Sequence, residues 1–90
     1  MKVRPVVRVE WVDSSRNACW HEPAEATKRR DLLCSSVGIL VENNDDFVTV
    51  ASHIAWPEGT VCDTTTIPRC AVTSIRRIGA KLEPPTKRER

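Results

Sequence analysis

Residues 37–78, VGILVENNDDFVTVASHIAWPEGTVCDTTTIPRCAVTSIRRI, decide the fold. Two β-rich runs flank Asn43-Asn44-Asp45-Asp46, residue types that tolerate positive φ and therefore build hairpin turns. A second turn, Ala55 to Gly59, separates Phe47–Ile54 from the threonine-rich run Thr60–Ile67. Pro68 lacks the N–H that a continuing strand needs, so Pro68-Arg69-Cys70 reads as a single 3₁₀ turn. Ala71–Ile78 then forms a last strand, anchored by Val72, Ile75 and Ile78. Four short strands on tight connections, broken by a proline before the last, predict a small curled sheet.

Upstream, Leu32–Glu42 places Leu33, Val37, Ile39 and Val41 on one face and Cys34, Gly38 and Leu40 on the other. A glycine in mid-strand marks a bulge or sharp bend, which a small barrel needs in order to close. Val6–Asp13 alternates, with Val7, Val9 and Trp11 set inward against Arg8, Glu10 and Val12. Residues 22–31, EPAEATKRRD, are the one stretch that reads as a helix, about two turns long. Pro23 suits its first position, and the acids and bases are distributed as the helix dipole prefers. The predicted order is β-α-β-β-β-β. The fold class is mainly β: a small five-stranded barrel with one short helix after the first strand.

At 90 residues the chain is one domain with a thin core. Trp11 and Trp20 are expected to fill and cover that core. No run approaches a membrane span, and the charged start MKVRPVVRVEW is unlike a signal peptide. A cytoplasmic location without membrane partners is therefore expected. In that compartment Cys19, Cys34, Cys62 and Cys70 read as reduced thiols, and Cys34 and Cys70, in apolar runs, as buried ones. Their spacing matches no zinc motif, so no metal or other cofactor is expected. Residues 1–80 carry ten Lys/Arg and ten Asp/Glu, so the formal net charge of +2 lies wholly in residues 81–90. That stretch, KLEPPTKRER, is read as a disordered basic tail behind a β-barrel domain of residues 1–80.

The glycine-bent strand, the long hairpin 37–54 and the 3₁₀ turn within TTTIPRCAVTSIRRI resemble the small-barrel class, and most of all Sm-like domains. SH3-like barrels share the five strands and the 3₁₀ turn. The chain is also similar to short hypothetical proteins of phages and prophages. Those carry a Trp-containing strand, a short helix, a V-G-x-L-V strand and an I-P-R-x-x-V-x-S-I-R element. Here these are Val9–Asp13, residues 23–31, Val37–Val41 and Ile67–Arg76. The resemblance covers residues 6–78. It departs from Sm domains in placing a strand before the helix, and the Sm RNA motif has no residue-by-residue match.

No catalytic motif occurs: His21 and His53 stand outside any nucleophile or metal pattern, and three isolated glycines make no phosphate loop. Asp45-Asp46 and Asp63 offer a carboxylate pair, but turn chemistry explains the first two. The protein is therefore expected not to be an enzyme. Binding chemistry falls to Arg69, Arg76 and Arg77 around the last strand, where guanidinium groups can hold phosphate. Trp56, beside His53 at a turn tip, can stack on a base. The expected function is an oligomeric, phage-type small barrel that binds RNA or a nucleotide through these five residues. Two other readings stay open: an accessory counter-defence protein that blocks a host protein, and a virion or assembly component. Sm-like barrels pair open edges into rings, and the strands 61–67 and 71–78 would be the edges available for self-association.

Overall fold

The structure is a computed structural model and describes residues 3–14, 20, 22–26 and 32–85. Five strands form one antiparallel sheet: β1 (Val6–Asp13), β2 (Leu32–Asn43), β3 (Phe47–Ala55), β4 (Thr60–Pro68) and β5 (Val72–Arg77). Between β1 and β2 lies one α-helical turn, Pro23–Ala26. Residues 27–31 of the expected helix lie outside the described residues, as do residues 86–90 of the expected tail and Cys19 and His21. The isolated bridge between Arg4 and Leu82 holds the beginning of that tail against the chain entering β1. No helix among the described residues is long and apolar enough to cross a membrane.

The strand order is β4-β3-β2-β1-β5, which puts two consecutive strands at opposite edges. In a flat sheet, four inter-strand steps would separate β4 from β5 by about 19 Å. Their only connection is a three-residue 3₁₀ turn, Arg69–Ala71, and such a turn advances only about 2 Å per residue. The sheet must therefore curl until its two edges approach one another at this turn. Consistent with that, the turn lies against both β1 and β3. No ladder joins β4 to β5, so hydrogen bonding leaves the described sheet open rather than closed into a barrel. The edges are the two strands the sequence pattern marks, β4 and β5.

Curling is made possible by Gly38. The first half of β2 pairs with β1, with Val7 opposite Gly38 and Trp11 opposite Cys34. The second half pairs with β3, with Ile39 opposite Ala51 and a register shift between Leu40 and Glu42. Where the strand passes from one partner to the other, a Cβ on Gly38 would stand 2.8 Å from the Ala51 carbonyl oxygen and 3.1 Å from the Val50 Cβ. Only a residue without a side chain lets the two backbones approach so closely.

Inside the curl, Val7, Val9, Val48, Val50 and Ile67 form the buried cluster, with Trp11, Leu40, Ala71, Val72 and Ile75 packed against it. The inward alternation expected for β1 holds: Val7 and Val9 are buried, and half-buried Trp11 donates from its indole to the Ser36 hydroxyl at 2.9 Å. The burial expected of Trp20 and of Cys70 fails, because burial is decided by tertiary packing. Trp20, expected to lid the core, is fully exposed, as is much of Leu33. Val37 is also exposed, since nothing described covers the outer face of β2's first half. Cys70 lies exposed on the 3₁₀ turn, not buried, while Cys62 is exposed on the β4 edge and Cys34 is half-buried; all three are free thiols.

Candidate functional site

Each arginine of the proposed set owes its position to a local feature of the chain. After Pro68 the chain leaves β4, and Arg69 opens the 3₁₀ turn. It is fixed twice by the β2–β3 hairpin: its backbone N–H donates to the Asp46 carbonyl at 2.9 Å, and its guanidinium donates to the Asn43 side-chain oxygen. The hairpin is itself stiffened by Asn44, whose side-chain oxygen accepts from the Asp46 and Phe47 N–H groups at 2.8 and 2.9 Å. Such an Asx turn is what Asn at this position is suited to form. The hairpin that the sequence pattern marks thus has a second task, holding a cation at the mouth of the curl.

Arg76 and Arg77 come from the end of β5. Strand alternation sends them to opposite faces, and the register shows which: Arg77 lies opposite buried Val7, Arg76 opposite Arg8. On the outer face, Arg8 donates to Glu10, and Glu10 also accepts from the Ser35 hydroxyl. These contacts hold the Glu10 carboxyl below its ordinary value. The Ser35 hydrogen bond is the largest cause, partial desolvation opposes it, and Arg8 and the field of Arg76 add to the lowering. The Arg77 side chain, by contrast, has no hydrogen-bond or ion-pair partner among the described residues. It is an exposed cation projecting from the face that carries the core.

Between these arginines is a cleft of about 440 Å³. Its walls include Val7, Leu40, Val72 and Ile75, so its base is continuous with the hydrophobic core. Arg69, Arg76 and Arg77 border it, Asn43 and Thr73 add neutral polar groups, and no Asp or Glu lines it. Thr73 is held in place by donating to the Glu10 carbonyl at 3.1 Å. A concave site where polar groups converge over an apolar base is a usual place for a small ligand to bind. Bordered by arginine residues and by no carboxylate, this one suits an anion.

The other two expected site residues stand elsewhere. His53 is exposed on β3 opposite Cys62, and half-buried Trp56 lies in the β3–β4 turn beside a cis peptide to Pro57. That turn follows the far end of β3 from the cleft. Phe47, at the near end, pairs with Pro68 beside Arg69. Eight residue steps along a strand amount to about 26 Å, so one small ligand cannot touch both Arg69 and Trp56. Of the five expected residues, Arg69, Arg76 and Arg77 border the cleft, and His53 and Trp56 do not. Pattern reading missed Leu40 and Asn43 as members: the first resembles any core residue, and the second is explained already by the turn it begins. Among the described residues, no group of three or more His, Cys, Asp or Glu is placed to hold a metal ion.

Compared with known proteins, the chain matches no protein-family model, no curated protein sequence and no solved structure.

Proposed function

We propose that the protein is a non-enzymatic small β-barrel of the Sm-like or SH3-like kind, phage-type in character, that binds RNA or a nucleotide at the arginine-bordered cleft. The observation that carries this reading is the lining of the cleft: Arg69, Arg76 and Arg77 with no acidic residue, over an apolar base. Phosphate oxygens accept paired hydrogen bonds from guanidinium groups, and a ribose or base face can rest on aliphatic side chains. The strand order, with β4 and β5 joined by a 3₁₀ turn yet lying at opposite edges, supports the small-barrel assignment. Self-association belongs to the same reading, because both edges lack a ladder partner within the described chain.

The test is a titration of the purified protein with RNA oligonucleotides and with nucleotides at two salt concentrations, alongside native mass spectrometry of the assembly. Affinity should fall steeply as salt rises, and Arg77→Ala should weaken it at least tenfold while leaving the melting curve in place. Binding that ignores both salt and Arg77 would refute the proposal.

A second reading, attachment to a host protein, is favoured by one observation. Trp20, Leu33 and Val37 leave large apolar side chains exposed around the β1–β2 connection and the outer face of β2. Large exposed apolar groups are the kind of surface that protein interfaces use. Complex formation that survives high salt and is lost in Trp20→Ala would favour this reading over the first.

A further inference from the structure

We infer that the cleft recognises a terminal phosphate, a phosphomonoester carried by a ligand about one nucleotide in size, rather than the internal phosphodiesters of an RNA strand. The inference rests on the reading of the cleft as a phosphate site, and three observations narrow it. The first is size: the cleft's volume of about 440 Å³ is that of sites that take a single small ligand. The second is the absence of any aromatic side chain from the lining. Proteins that follow single strands do so by stacking successive bases on aromatic rings along a basic groove. Here the nearest candidate for that task, Trp56, follows the opposite end of β3.

The third is charge. A phosphomonoester carries close to two negative charges at neutral pH, because its second pKa is about 6, whereas a diester carries one. Two of the bordering cations are suited to the higher charge. The Arg77 side chain has no partner of its own among the described residues, so its charge is uncommitted. Arg69 is tied through its backbone to Asp46 and through its guanidinium to Asn43, which orients it without cancelling its charge. Asn43 is thus a positioning residue, and its neutrality matters: an aspartate there would orient Arg69 equally well but would set a carboxylate at the cleft.

The experiment compares four probes by calorimetry on the full chain: adenosine 5′-monophosphate, adenosine, and one RNA hexamer with either a 5′-phosphate or a 5′-hydroxyl. Each is repeated with Arg77→Ala and Asn43→Asp, with circular dichroism melts to establish that both variants fold. The monophosphate and the 5′-phosphorylated hexamer should bind at least tenfold tighter than their unphosphorylated counterparts. Both variants should erase that difference while melting like the parent. If the two hexamers bind equally and binding still depends on Arg77, the terminal-phosphate inference is overturned and the proposed function stands. Should no probe respond to Arg77→Ala, both fall.

Discussion

Replacing Gly38 with alanine separates two opposed physical effects, and the structure decides which is larger. In an ordinary strand interior, alanine for glycine stabilises by about 0.5–1 kcal/mol, because the unfolded chain loses conformational freedom. At Gly38 the new methyl carbon would lie 2.8 Å from the Ala51 carbonyl oxygen and 3.1 Å from the Val50 Cβ. The first neighbour is backbone, held in the β2–β3 ladder by the Ile39–Ala51 pairing, and has no rotamer through which to yield. The second belongs to a buried core residue, 4% exposed. Forcing a methyl into such a contact typically costs about 1–3 kcal/mol, more than the entropic gain. Gly38→Ala should therefore lose about 1–2 kcal/mol net, read as a lower urea midpoint at unchanged slope with tryptophan fluorescence as the probe. Gly79 supplies the control. It has open space around it but a φ of +67°, so Gly79→Asn should be tolerated better than Gly79→Ala, since Asn accepts that backbone region. A Gly38→Ala protein as stable as the parent, or more stable, would mean that β2 does not bend where the backbones cross.

Three further outcomes follow from particular residues. Asp63 has a φ of 60° in the middle of β4, so Asp63→Val should destabilise by about 1–2 kcal/mol despite valine's preference for strands; a gain in the urea midpoint would contradict this. Because the Glu10 carboxyl titrates below its ordinary value in the folded protein, its contribution is present above the unfolded value and lost as pH falls through the folded one. Stability measured from neutral into acid should accordingly fall less for Glu10→Gln than for the parent, and superimposable profiles would show that the Ser35 and Arg8 contacts are not made. Trp11→Ala removes a ring packed on the core and should cost about 3 kcal/mol, whereas Trp11→Phe, which loses mainly the bond to Ser36, should cost about 1 kcal/mol; equal losses for the two would place the indole N–H, not the ring, at the centre of its role.

What the sequence determined by itself is what short-range chemistry governs. The Asn-Asp turn, the proline that ends β4, the glycine that bends β2 and the valine alternation of β1 each act within a few residues, and so the order of the strands along the chain was legible. The pattern also marked Arg69, Arg76 and Arg77. Their gathering at one mouth could not be read from spacing, because it depends on β5 crossing to the far side of β1 and on a hairpin twenty-odd residues upstream reaching Arg69 through Asn43. Trp56 and His53 looked equally suited to binding, yet they belong to the opposite end of β3. Trp20 and Cys70 looked buried, yet no neighbour covers them. Burial and convergence are set by which distant segments pack together, and only the folded chain establishes that.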